Sequence, residues 1–169
     1  MRNLLQTRWT EIGDKLVALA DEFPAEHYDF RPTPDTRSFA EQLRHVAFWN
    51  QYLLATLRGE AADGDANELD PTTFRAKPEV GEALRASVAA VGRAIGSGKG
   101  DLDEASAGSI VAFIEHNGEH YGQLALIFRL RGLVPPARAH SRTSWALEEV
   151  QTHPPFLPTK ALMAAEELM

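Results

Sequence analysis

Two histidines that lie four residues apart are the part of the sequence best suited to chemistry. They are His116 and His120, in the segment FIEHNGEHYGQL at residues 113–124. On an α-helix, positions four apart differ by about 40° around the axis, so both imidazoles can reach one metal ion. The pair is not the H-E-x-x-H pattern of zinc metalloproteases, because Asn117 follows the first histidine where that pattern has glutamate. The spacing is therefore suited to a metal site that is not of the metalloprotease type.

A histidine pair with this spacing is also consistent with a hydrogen-bonded core pair or a surface pair that binds nothing. A third ligand on another helix would favour a metal. His45 is the candidate, because its predicted helix places it near Trp49 and Tyr52, at the border of the apolar face. Three imidazoles from two packed helices can hold a divalent ion and leave coordination positions open for water or substrate, which is typical of a catalytic site.

Five further side chains are candidates for the surroundings of the metal: Glu41, Trp49, Tyr52, Glu119 and Gln123. The three polar ones lie within a turn of a histidine and could accept the second N–H of a ligand imidazole. For Glu41, a helix-capping role explains the residue as well, and Glu119 is also consistent with a solvated surface group. The two aromatic residues could form an apolar wall of a pocket, although ordinary core packing is the simpler interpretation of Trp49.

Four amphipathic helices are predicted to position these residues, since apolar residues recur at steps of three and four in four segments. The first helix ends at Pro24, and the second begins at a capping box on Ser38 and ends at Gly59. The third starts near Pro78, and the fourth runs from about residue 106 to residue 131. Because no segment alternates as a strand would, the pattern predicts an all-α four-helix bundle with long connections.

The length of 169 residues predicts a single domain over residues 1–169. Its bundle core is expected at about residues 4–136. Residues 137–169 form a C-terminal extension in which a short helix, capped by Thr159, is predicted. The remaining histidines, His27, His140 and His153, fall in a turn or in this extension and are predicted to be surface residues.

The composition excludes several classes of function. The chain has no cysteine, so disulfides, thiolate ligands and cysteine nucleophiles are excluded, and a metal must be held by nitrogen and oxygen. A net charge of −7 without a basic cluster argues against nucleic-acid binding. There is no signal peptide pattern and no apolar run of about 18 residues. We therefore expect a soluble, cytoplasmic protein that binds neither nucleic acid nor membrane.

Two glycines on the histidine-bearing helix raise a separate question. Gly118 and Gly122 each cost a helix about 1 kcal/mol relative to alanine. A helix that keeps both is predicted to be approached closely by another backbone, either within the subunit or across a homodimer.

Two segments, RSFAEQLRHVAFWNQYLL at residues 37–54 and IEHNGEHYGQLALIFRLRGLVPP at residues 114–136, resemble the DinB/YfiT-like superfamily. The resemblance covers about residues 4–136. It implies a four-helix bundle that binds a divalent metal, commonly zinc or nickel, through His45 on the second helix and through His116 and His120 on the last. It also implies a transferase that uses a low-molecular-weight thiol such as bacillithiol or mycothiol, or a thiol-dependent isomerase.

Two classes of function remain open from the sequence. The first is a metal-dependent enzyme, either a thiol-dependent transferase or a hydrolase, because a divalent ion held by neutral imidazoles lowers the pKa of a thiol or of water. The chain lacks cysteine, so the thiol must arrive as a small-molecule cosubstrate. The second class is a non-catalytic dimeric bundle that binds a small apolar ligand or a protein partner.

Overall fold

A computed structural model describes residues 1–98 and 101–136 of the chain. Four α-helices run through these residues: α1 (Arg2–Glu22), α2 (Phe39–Leu57), α3 (Lys77–Ser97) and α4 (Glu104–Leu130), with a short 3-10 helix (Ala25–His27) after α1. Within the described ranges there is no β-strand. The predicted all-α four-helix bundle with long connections is confirmed. The predicted C-terminal helix and its cap, with His140 and His153, lie outside the described residues.

The start of α2 is fixed by its own side chains. Ser38 Oγ accepts a hydrogen bond from Glu41 N, and the Glu41 carboxylate accepts one from Ser38 N at 2.6 Å, which is the predicted capping box. Gly59 at the end of α2 and Gly132 after α4 have φ values of 69° and 72°, in the region that glycine adopts without strain. The helix that carries His45 therefore begins and ends at defined residues.

Helix α4 begins two residues earlier than the sequence pattern predicts. Asp103 is its N-cap, because the Asp103 carboxylate accepts a hydrogen bond from Ser106 N at 2.8 Å. Ser106, which the pattern suggested as the first residue, thus lies in the first turn. The acidic cap also suits the positive end of the helix dipole.

The helices pack in a cyclic order that brings α2 beside α4. Both α1 and α2 pack against α3 and α4, so the order around the bundle is α1, α3, α2, α4. The core between them contains the fully buried side chains Trp9, Leu16, Leu19, Phe23, Phe39, Leu43, Leu53, Leu84, Ile95, Ile110 and Leu124. Each such side chain contributes about 1.5–3 kcal/mol of hydrophobic free energy. The pairing of α2 with α4 places the two histidine-bearing helices in direct contact.

The close helix approach occurs at a different glycine from the predicted ones. A Cβ added at Gly13 on α1 would lie 2.3 Å from Val88 Cγ1 on α3, so only glycine fits there without a shift. A Cβ added at Gly118 or Gly122 would meet no described atom within 4 Å. The prediction of close packing at these two residues is therefore wrong for the described part of the subunit. Contact across a homodimer stays a prediction.

None of the described helices combines the length and the apolar character that a membrane span needs.

Candidate metal centre

Three ring nitrogens converge between α2 and α4. His45 Nε2 lies 3.2 Å from His116 Nε2, and His120 Nε2 lies 3.1 Å from the same atom. For a tetrahedral ion with metal–nitrogen bonds of 2.0–2.1 Å, two ligand nitrogens are about 3.4 Å apart. The observed separations are within a few tenths of an ångström of that value. The three histidines therefore form a group that could bind a metal ion.

The opposite ring nitrogens of two of these histidines face oxygen acceptors. His45 Nδ1 is 2.6 Å from the main-chain oxygen of Asn67, and His120 Nδ1 is 3.2 Å from Gln123 Oε1. A carbonyl oxygen can only accept, so both Nδ1 atoms carry the proton and both neutral rings present an Nε2 lone pair to the cluster. Lone pairs that point at one another repel, and a cation between them removes the repulsion. The donor set therefore fits a divalent metal.

The two acceptors are themselves held in place. The Gln42 side-chain amide donates to Gln123 Oε1, which fixes the orientation of the Gln123 amide. Asn67 lies in the connection between α2 and α3 with a φ of 56°, a left-handed conformation that asparagine adopts more readily than most residues. The Asn67 side chain also accepts a hydrogen bond from Trp49 Nε1 at 2.9 Å. One residue of this connection thus fixes both His45 and Trp49.

Aromatic rings line one side of the cluster. The Trp49 ring centroid is 6.2 Å from that of His45 and 6.4 Å from that of His116, and Phe113 lies 6.0 Å from His116. Tyr52 stacks on Phe113 at 6.3 Å and contacts Trp49 at 5.0 Å. Trp49, Tyr52 and Phe113 are half-buried, so their rings form an apolar wall that still reaches the surface.

Burial keeps the three imidazoles neutral. Loss of solvation lowers the pKa of His45 to about 4 and that of His120 to about 3, and it also lowers the pKa of His116. The positive charge of Arg37 lowers the pKa of all three further. Neutral imidazole is the form that binds a metal, so the site needs no deprotonation at neutral pH.

The other residues predicted around the metal have different positions. The Glu41 carboxylate is bound by Ser38 N and by Arg31 at 2.5 Å, so the acceptor beside His45 is the main-chain oxygen of Asn67 and not Glu41. Glu119 is exposed, and its charge raises the pKa of His116 against the effect of burial. His27 is exposed on the 3-10 helix, where Arg131 contacts its ring. The structure therefore brings together the three histidines, Trp49, Tyr52 and Gln123.

Sequence reasoning missed three polar residues near the cluster. Asn67 acts mainly through its carbonyl oxygen, which every residue has, so no side-chain pattern identifies it. Asn50 and Asn117 do leave a signal, because each lies in the centre of an otherwise apolar helical stripe and is 0% exposed. A polar amide in such a position must find a partner inside the protein.

Comparison with known proteins adds one match. A family model described as the DinB superfamily matches residues 8–124, a range that includes all three histidines. No curated protein matches the chain in a sequence comparison.

Proposed function

Because this chain belongs to the DinB superfamily, we propose that it is a divalent-metal-dependent enzyme in which His45, His116 and His120 hold the ion, with zinc or nickel as the expected metal. The observation that carries the proposal is the convergence of three Nε2 atoms from two helices, with two of the opposite nitrogens facing fixed acceptors. Three protein ligands leave a coordination position for a reactant.

The reaction class that we propose is thiol-dependent transfer. When bound, the ion supplies a Lewis acid that favours the anionic, nucleophilic form of a coordinating thiol. The chain has no cysteine, which supports a low-molecular-weight thiol such as bacillithiol or mycothiol as cosubstrate. Trp49, Tyr52 and Phe113 exclude water from one side of the cluster and offer an apolar surface to the electrophile.

Arg37 supports a cosubstrate that carries a negative charge. It directly precedes Ser38, the N-cap of α2, and is half-buried. It makes no hydrogen bond or ion pair with another described residue, yet its charge acts on all three histidines. A half-buried guanidinium that has no partner among the described residues is well suited to bind a carboxylate of the incoming thiol, since such pairs are bidentate and strong.

The first test is the metal content of freshly purified, untagged protein, measured by elemental analysis. We expect about one divalent ion per chain in the parent, and a loss of the ion in His45→Ala, His116→Ala and His120→Ala. His27→Ala, which removes an exposed histidine outside the cluster, is the matched control and should keep the ion. If the parent binds no ion after incubation with zinc(II) or nickel(II), the proposal is wrong and a non-catalytic bundle remains.

The second test is a screen of thiols with an electrophile such as a chlorinated nitrobenzene, with and without a chelator. Turnover that needs both the thiol and the metal supports the transferase. Chelator-sensitive ester cleavage without a thiol would instead indicate a hydrolase. Arg37→Ala should raise the KM for a carboxylate-bearing thiol by about tenfold or more while changing that for uncharged 2-mercaptoethanol little. Arg93→Ala, which removes an exposed charge on α3, should change neither.

A further inference from the structure

A chain of buried polar side chains runs through the bundle from α3 across α2 to α4. Ser87 Oγ donates to the main-chain oxygen of Leu84 at 2.8 Å, and Asn50 Nδ2 donates to Ser87 Oγ at 3.1 Å. Asn117 Nδ2 then donates to Asn50 Oδ1 at 3.1 Å. The three side chains are 3%, 0% and 0% exposed, so water does not compete for these bonds.

The direction of every bond in this chain is fixed at its α3 end. A main-chain oxygen only accepts, so the Ser87 hydroxyl proton points to Leu84 and the Ser87 oxygen must accept from Asn50. Asn50 therefore directs its Oδ1 towards α4, and Asn117 donates to this oxygen through its Nδ2. The remaining Asn117 atom, Oδ1, is an acceptor whose orientation is set by groups on two other helices.

Two buried polar atoms at the α4 end have no hydrogen-bond partner among the described residues, and they belong to consecutive residues. They are Asn117 Oδ1 and His116 Nδ1. Asn117 Oδ1 is an acceptor, and His116 Nδ1 is a donor when the ring proton is on Nδ1. The two atoms are therefore complementary hydrogen-bonding groups. The Asn117 side chain also acts to raise the pKa of His116, which indicates that the amide lies near the imidazole, although the two atoms do not form a hydrogen bond of ordinary geometry in the structure.

We propose that Asn117 is a positioning residue whose Oδ1 accepts from His116 Nδ1–H and so leaves the Nε2 lone pair of His116 free for the metal. His116 then has the same arrangement as the other two ligands, whose Nδ1 atoms face Asn67 O and Gln123 Oε1. The inference rests on the proposed function, because an Nε2 lone pair matters here only if an ion is bound. Ser87 and Asn50 act through Asn117 by fixing its amide.

The first readout is the position of the His116 ring proton in the metal-free protein. Long-range proton–nitrogen NMR correlations distinguish Nδ1–H from Nε2–H. We expect Asn117→Leu, which removes the amide at similar volume, to lower the Nδ1–H population of His116 relative to the parent. Ser87→Ala, which removes only the hydroxyl at the α3 end of the hydrogen-bond chain, should also lower the Nδ1–H population of His116, by a smaller amount. Unchanged populations in both variants would overturn the proposal.

The second readout is zinc(II) affinity, measured by competition with a chromogenic chelator. We expect Asn117→Leu to weaken binding by about 10- to 100-fold, as is usual when the hydrogen-bond partner of a ligand histidine is lost. The control is Tyr28→Phe, which removes a buried hydrogen bond to the Ala20 carbonyl but lies in another part of the core. It should lower the Tm and leave both the ring proton and the zinc affinity unchanged.

The two proposals fail in different ways. If the parent binds no zinc, the proposed function fails, while the metal-free NMR comparison still decides whether Asn117 orients His116. If the parent binds zinc and Asn117→Leu keeps its affinity within about twofold, Asn117 has no positioning role and the metal site stands without it. If Asn117→Leu does not fold, Ser87→Ala alone decides, since an unchanged His116 ring proton in that variant would contradict the proposal.

Discussion

Mild acid is expected to destabilise the metal-free protein through its buried histidines. Burial lowers the pKa of His45 to about 4 and that of His120 to about 3, whereas an unfolded histidine titrates near about 6.5. Below that pH the unfolded state therefore binds more protons than the folded state. The free energy of unfolding must then fall as the pH drops from about 6.5 towards the folded pKa values.

The size of the effect follows from these pKa values. At about pH 5.5 each of the two histidines is mostly protonated in the unfolded chain and neutral in the folded one, which costs about 1.4 kcal/mol per residue. At about pH 7.5 the cost is only about 0.1 kcal/mol. The two together remove about 2.6 kcal/mol between these pH values, and His116, whose pKa is also lowered by burial, adds to the loss. Unfolded carboxylates titrate near about pH 4 and contribute little in this window.

The assay is urea unfolding at about pH 7.5 and about pH 5.5, in the presence of a chelator, for the parent and three glutamine variants. His45→Gln and His120→Gln should each reduce the acid-induced loss by about 1.3 kcal/mol, because glutamine does not titrate. His27→Gln replaces an exposed histidine and should keep the loss of the parent. Saturating zinc should raise the stability of the parent at both pH values and leave the loss nearly unchanged, since His45 and His120 are already neutral in the folded state throughout this window. A parent whose stability is the same at both pH values, or a His27 variant that behaves like the His45 variant, would refute this reasoning.

Four further predictions concern packing, helix propensity, association and helix ends. Gly13→Ala should lower the free energy of unfolding by about 1–2 kcal/mol, since overpacking against Val88 exceeds the gain in helix propensity; a rise in Tm would contradict the tight contact. Gly122→Ala should raise stability by about 0.5–1 kcal/mol, because its Cβ would meet no atom of the described residues within 4 Å. Gly122→Leu should weaken a homodimer if α4 forms its interface, so sedimentation of that variant identical to that of a dimeric parent would exclude this face. Lys77 Nζ donates to the main-chain oxygens of Asp21 and Phe23 at the end of α1, at 2.6 and 2.8 Å. Lys77→Met should therefore lower the free energy of unfolding in urea by about 1–2 kcal/mol. A loss below about 0.3 kcal/mol would show that water replaces these bonds.

The helices were predictable where a side chain marks their ends. Ser38 and Glu41 form their capping box from residues three apart, so the local sequence contains all the information. The start of α4 was placed two residues late because the apolar periodicity does not mark the first turn, and only the geometry shows that Asp103 accepts from Ser106 N. The two histidines of α4 were predictable for the same local reason, since their spacing alone puts them on one face.

Features that depend on contacts between distant segments were not predictable. The partner of His45 is a main-chain oxygen in the α2–α3 connection, and the path of that connection determines which residue supplies it. The glycines of α4 were assigned to close packing because a sequence shows a missing side chain but not what lies beside it. The close contact is at Gly13, where Val88 from α3 fills the space.

The division of the three nitrogens between helices has a consequence for how long an ion stays. His116 and His120 move with helix α4, and His45 moves with helix α2. Full release of the ion therefore requires α2 and α4 to separate or the imidazole rings to rotate out of their hydrogen bonds. The residence time of an ion would then depend on how often the α2–α4 contact opens transiently, more than on the strength of any single metal–nitrogen bond. Substitutions in the α2–α4 core, far from the imidazoles, should change the dissociation rate even when they leave every ligand in place.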